Sequence, residues 1–325
     1  MARALADAGL NRHSRLVVEK PFGHDEESAR ELQEELSACF DDHHLLRVDH
    51  FLGNSAVESL MVARFANTLL APPIWHRSYV DNVQITLAED FDVADRGGSF
   101  YDAVGCLRDV VQNHLLQVLA FLAMDPPNVS TPAPRAWRSG GCCALCAPWT
   151  PEATVRGQYD GYLDVEGVAP GLHHRDVLRD PALHRQLALG RGGPLLPAQR
   201  QGAAGDRHRG DRPAPHPATG ALRHRRRRDP PPNLIRFRID GDTGIRADLM
   251  LRKPEDGGVE QPVTVPIGVD FATVLGRQEL PYENILRGAV VGDPEAFAFY
   301  PTILECWRIV ASVLDPSEPP VPYAP

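Results

Sequence analysis

The chain has 325 residues and 35.7 kDa, is 43% apolar and 24% charged, and carries a net charge of −9, ordinary globular usage for two domains or one large one. No apolar run reaches the roughly 18 residues of a membrane span, and the first residues carry no apolar signal region. Six cysteines are too sparse for a disulfide scaffold, so a reduced, cytoplasmic chain with no membrane partner is expected.

In chain order, Arg15–Gly23 reads as a short buried strand ended by Pro21 and Gly23. Asp25–Phe40 reads as a helix capped by Asp25, with Ala29, Leu32, Leu36 and Phe40 along one stripe. Leu45–Asp49 is a second strand, so the first 49 residues contain one βαβ unit. Ser55–Asn67 is a predicted helix, and Val80–Glu89 a strand with Val83, Ile85 and Leu87 on one face. Asp102–Met124 is a predicted long helix striped by Leu107, Val110, Val111, Leu115 and Val118. Leu234–Ile239 and Arg246–Leu251 alternate as strands. Pro294–Val313 is predicted helical in part, with Pro294 in its first turn and a break at Pro301. Beyond the first unit strands and helices do not alternate regularly, which predicts an α+β sheet domain.

Charge is unevenly spread. Gly171–Pro230 holds 13 Arg and no Lys against 5 Asp and no Glu, six of the 13 histidines, no Phe, Tyr, Trp or Ile, and one Val. The remaining residues carry 21 basic against 38 acidic side chains, a net −17. Ala221–Arg228 is a basic run that invites a nucleic-acid reading. Cys143-Ala-Leu-Cys146 invites a metal reading, but no second pair or nearby histidine pair completes it, so no metal is expected.

Three segments carry candidate chemistry: Glu19-Lys-Pro-Phe-Gly23, Asp49-His-Phe-Leu-Gly53 and Arg108-Asp-Val-Val-Gln-Asn-His114. The first two end strands, the usual place for functional groups in open α/β sheets. His114 lies on its helix's apolar stripe, which fits a core histidine as well as a general base. A buried imidazole needs an orienting partner, and Asp49 at a strand end is the candidate.

The blocks RLVVEKPFG, LRVDHFLG, ARFAN, IWHRSYVDNVQIT, LRDVVQNHLLQVLAFLAMDPP and TVRGQYDGYLDVEGVAPG, with PNLIRFRID and CWRIV more weakly, resemble the glucose-6-phosphate dehydrogenase family, in the same order. The resemblance implies oxidation of glucose 6-phosphate to the 6-phosphogluconolactone with NADP. It implies His114 as the base on the C1 hydroxyl and Asp49 as its orienting carboxylate. His50 is implied on the sugar phosphate, Glu89 and Asp109 on the sugar hydroxyls, Lys20 near both substrate and nicotinamide, and Pro21 as a cis proline on the cofactor side. The bland alternatives are a helix cap for Asp109 and surface charges for Lys20 and Glu89. By the same resemblance, residues 1–49 are the C-terminal remnant of a Rossmann-type NADP-binding domain. Residues 50–325 are then a large, mostly antiparallel sheet domain with helices on one face, serving substrate binding and dimerisation as a homodimer or homotetramer.

The departures are equally specific. Phe51 and Asn54 stand where the family pattern has Tyr and Lys, and an uncharged Asn cannot replace an ammonium facing a dianion. No Gly-rich phosphate turn precedes Lys20, so part of the cofactor domain is expected to be missing. The segments at about 135–149 and 171–228 read as frame-shifted. Back-translated Leu172–Leu189, read one nucleotide later, permits STTETFCVIRLYIDNWRW, which is family-like, and the substrate-site lysine is lost near Gln201. As written, residues 171–228 are expected to fail as interior strands, and the chain to be inactive. Alternatives are a non-catalytic relative acting as a binding or heteromer partner and an Arg-rich nucleic-acid binder, the last disfavoured.

Overall fold

The computed structural model describes residues 1–68, 70, 74–76, 79–80, 82–88, 98–124, 146–169, 177–179, 182–183, 194–200, 233–253, 261–277, 279–315 and 319–323. The chain divides into two compact units, residues 1–204 with 280–325 and residues 205–279.

The first unit opens with helix α1 (Ala2–Asp7) and strand β1 (Leu16–Glu19). Helix α2 (Glu26–Ser37) then leads to strand β2 (Leu45–Val48). The two strands pair in parallel, Leu16 opposite Leu45 and Glu19 opposite Val48, completing the expected βαβ unit. Asp25 caps α2 as expected: its carboxylate accepts the Ser28 N–H at 2.8 Å, while the Ser28 hydroxyl receives the Asp25 N–H. Leu36, Phe40 and Leu45 form one apolar cluster beneath α1 and α2. Leu46 and Val48, on a strand buried throughout, pack with Ile285 and Phe297.

Helix α3 (Ser55–Ala66) follows, capped by the Asn54 side chain, which accepts the Ala56 N–H at 2.9 Å. Strand β3 (Gln84–Ala88) is shorter than its predicted span. The single predicted helix over 102–124 is three pieces. Helix α4 (Gly98–Cys106) carries a non-helical Gly105 at φ 71°, a π-helical segment spans Leu107–Leu115, and helix α5 is Leu116–Ala123. A π-segment inserts its extra residue where a site needs a side chain re-aimed. Here every residue from Asp109 to Leu115 is buried.

Strands β4 (Val155–Tyr159), β5 (Val177–Arg179), β6 (Ala182–Leu183) and β7 (Pro194–Arg200) complete this part of the unit. β7 lies between β3, parallel, and β6, antiparallel, with Ile85 opposite Pro197. Pro194–Arg200 thus forms an interior strand, against the expectation that 171–228 fails as interior strands. The ladder is a backbone property, and it runs through the short Leu-containing stretch of the segment. Residues 201–228 of the segment lie outside the described residues. The residues 146–149 of the other suspect segment also pack: Trp149 is 2% exposed and donates its N–H to the Ile309 carbonyl at 2.8 Å.

The second unit is an antiparallel sheet of β8 (Leu234–Arg238), β9 (Gly244–Lys253) and β10 (Gln261–Asp270), order β10-β9-β8, ended by helix α6 (Phe271–Leu275). Back in the first unit, helix α7 (Pro281–Val291) precedes helix α8 (Tyr300–Val310). Strand β11 (Val321–Tyr323) pairs in parallel with β4. Pro301 does not break α8. It sits in the first turn, where a missing N–H is no loss, and the helix begins at Tyr300 rather than at Pro294.

Candidate active site

β1 and β2 end side by side, so Lys20 and Asp49 follow directly from neighbouring parallel strands. Asp49 is 1% exposed, and its Oδ1 accepts the Phe51 N–H at 3.1 Å, fixing the carboxylate above the turn His50–Gly53. The π-segment delivers His114, 3% exposed, to the same point: Nδ1 lies 2.5 Å from Asp49 Oδ1. An ionised carboxylate only accepts, so the proton sits on Nδ1 and Nε2 keeps its lone pair. Oδ2 of Asp49 has no hydrogen-bond partner among the described residues.

Lys20 stands over that lone pair. Its Nζ is 3.2 Å from His114 Nε2, 2.9 Å from the Asp109 carbonyl and 3.1 Å from Asp109 Oδ1. Asp109 is itself buried. The Lys20–Pro21 peptide is cis. Phe51 stacks on the imidazole of His114 with centroids 4.4 Å apart and planes at 19°, and His50 meets it edge-on at 4.7 Å. Of the seven residues singled out in the sequence, Lys20, Asp49, His50, Asp109 and His114 are joined by these contacts, and Pro21 adjoins them through its peptide bond to Lys20. The seventh, Glu89, lies outside the described residues.

The donor atoms of Asp49, His50 and His114 lie within 4.8 Å of one another, close enough in principle for a cation. Both nitrogens of His114 are already engaged, Nδ1 by Asp49 and Nε2 by Lys20.

Two supports were not read from the sequence. Tyr282, in the first turn of α7, donates its hydroxyl to Glu19 Oε1 at 3.0 Å. Its phenol is held above the ordinary range by desolvation, by that carboxylate and by the nearby Asp49. Asn284, 3% exposed, donates Nδ2–H to the Gly53 carbonyl at 3.0 Å. The signals for this helix were present in Pro281 at its first position and Gly292 just past its end.

Residues 1–59 match the model for the glucose-6-phosphate dehydrogenase NAD binding domain, and residues 61–179 match that for the C-terminal domain. The chain is 39% identical to glucose-6-phosphate 1-dehydrogenase 1 of Mycobacterium tuberculosis, the alignment covering 96% of this chain and 65% of that protein. It is 32% identical to the glucose-6-phosphate 1-dehydrogenase of Mycolicibacterium smegmatis, over the same shares. The chain thus spans about 65% of the length of these curated relatives. Its fold superposes on the crystal structure of the Mycobacterium avium glucose-6-phosphate 1-dehydrogenase with a TM-score of 0.79 and 37% identity, covering 99% of this chain and 68% of that one. A glucose-6-phosphate dehydrogenase in complex with glucose 6-phosphate gives 0.80 and 27% identity, with the same coverage. Matched by both domain models of the family and similar to its members over almost its whole length, the chain belongs to the glucose-6-phosphate dehydrogenase family.

Proposed function

We propose that this site oxidises glucose 6-phosphate at C1 with NADP, His114 acting as general base. The observation that carries the proposal is the buried 2.5 Å contact of Asp49 Oδ1 with His114 Nδ1, which leaves Nε2 as the acceptor. The C1 hydroxyl takes the place of the Lys20 ammonium at Nε2 and gives up its proton there. Asp49 then faces an imidazolium, and the free lone pairs of its Oδ2 keep negative charge concentrated at that spot. Lys20, displaced by about one hydrogen-bond length, remains beside the reacting carbon. His50 binds the sugar phosphate, and Asp109, with Glu89, binds ring hydroxyls.

A bound nicotinamide dinucleotide supplies the hydride acceptor. The residues present suit it: a partly exposed ammonium at Lys20 and an exposed ring at Pro21 stand beside the base at the open end of two parallel strands. On this reading residues 1–49 close a Rossmann-type NADP domain. Residues 50–325 form the substrate and dimerisation part, with a mostly antiparallel sheet, in a cytoplasmic homodimer or homotetramer.

Titration calorimetry of the 325-residue chain with glucose 6-phosphate and with glucose tests the site. Selective binding of the phosphorylated sugar, weakened by His50→Ala, is the expected result. No binding of either sugar sinks the proposal. Turnover is expected to fall below detection in the chain as written, because Asn54 is uncharged and no lysine stands near Gln201. NADP reduction above a His114→Asn control would show those two cations to be dispensable.

A further inference from the structure

We infer that Asn284 is a positioning residue that clamps the His50–Gly53 turn and so sets where His50 meets a substrate phosphate. The inference deepens the proposed function and rests on His50 as a phosphate ligand. Asn284 is 3% exposed, on a helix more than 200 residues further along the chain, and donates to the Gly53 carbonyl at 3.0 Å. Its other amide atom, Oδ1, accepts from Arg287 Nη2, so the orientation of the amide is settled: the NH₂ group faces Gly53. The contact is close by construction. A Cβ at position 53 would lie 2.5 Å from the Pro281 carbonyl oxygen and 2.7 Å from Ile285 Cγ1. Glycine there lets α7 seat its first turn directly on the loop. Ile285 also packs on Leu46 and Val48, in the strand that delivers Asp49.

Within the turn the Leu52 N–H donates to the Asp49 carbonyl at 2.9 Å and the Asn54 N–H to the Phe51 carbonyl at 3.1 Å, so the turn moves as one piece. Its N-terminal end is pinned by the Asp49 carboxylate, and its C-terminal end runs into the cap of α3. His50 lies between them with its ring against Phe51 at 5.0 Å and His114 at 4.7 Å. A shift at Gly53 therefore moves His50 relative to His114, while the Asp49–His114 pair, anchored on β2 and the π-segment, stays.

Asn284→Asp keeps shape but removes the donor and turns an oxygen toward the Gly53 carbonyl. In the full chain it should raise the calorimetric Kd for glucose 6-phosphate about tenfold, the order expected when a buried acceptor loses its partner. The His50 ring resonances should move, while the downfield Nδ1–H resonance of His114 stays in place. Arg287→Ala, which releases the amide, should act in the same direction, and Arg287→Lys, which keeps a donor, should restore affinity. A parent-like Kd in Asn284→Asp overturns the inference. So does a variant in which the His114 resonance is lost along with affinity, since that marks a general loss of structure. A parent chain that binds no sugar phosphate instead removes the reading of the site. Unmoved His50 resonances in Asn284→Asp would then still overturn the clamp.

Discussion

Asn54 shows what one residue can do twice. Its side chain caps α3, accepting the Ala56 N–H, at the position where the family pattern has a lysine. Asn54→Lys should therefore have two opposed effects. Loss of the cap should lower stability by about 1 kcal/mol, visible as a drop in Tm. The new ammonium should tighten glucose 6-phosphate far more than glucose, because only the former carries a dianion. Equal changes for the two sugars would place position 54 away from the phosphate. The base is tested by His114→Asn in a chimera that carries these site residues within a full-length relative. There kcat should fall by about 10²–10⁴ with KM little changed, since proton removal belongs to the transition state. A variant keeping more than roughly a tenth of its rate would show that His114 is not the base. His114 and Asp49 were legible because an apolar stripe and a strand end mark them, whereas Asn54 stood out only against the family pattern. Asn284 was not legible: a polar residue in a helix that ends in ordinary surface positions gives no sign that it reaches a glycine carbonyl far back in the chain.

α2 was read correctly at its start and too long at its end. Capping is local chemistry between Asp25 and Ser28, whereas Phe40 continues the apolar stripe only because the chain after the C-cap Ala38 still faces the same cluster. The Asp25 carboxyl is held below the ordinary range, first by the Ser28 hydroxyl and then by the Ser28 N–H. A depressed carboxylate contributes stability above its unfolded value, near 3.9, and loses it as pH falls through the lower folded value. Asp25→Ala should lower Tm at neutral pH, the cap being worth about 1 kcal/mol, and the gap to the parent should close below about pH 4. A gap independent of pH down to 2 would show that the carboxylate is not the capping group. The helix over 102–124 illustrates the opposite limit. Its apolar period is consistent with one continuous α-helix, and the sequence carries no local cue for nine residues of π-geometry. That geometry is stabilised by what surrounds it. The Gln112 amide reaches the Ile303 carbonyl at 3.4 Å, and His114 reaches Asp49, both from remote parts of the chain.

The first unit is closed by contacts between sequence-distant ends, which no local pattern announces. α8 lies against the π-segment and α2 and buries Ile303, Cys306, Trp307, Ile309 and Val310, each at most 2% exposed. Trp307 is the most telling of them. Its ring is 1% exposed, and its Nε1–H donates to the Phe22 carbonyl at 3.0 Å, across 285 positions of sequence. Phe22 follows Lys20 and the cis Pro21 in the loop that leaves β1, so this one indole joins the C-terminal helix to the loop that holds the site's ammonium. Arg108 adds a second tie through the His24 carbonyl at 2.9 Å. Trp307→Phe removes the donor together with part of the buried ring, leaving a small cavity. The Phe22 carbonyl is then left buried without that partner, a loss of about 1–3 kcal/mol. The expected result is a fall of a few degrees in Tm together with weaker glucose 6-phosphate binding, because the Lys20 loop is no longer fixed at its far end. If Tm falls and affinity does not, the indole supports the fold without positioning Lys20; if neither changes, the hydrogen bond contributes nothing to either.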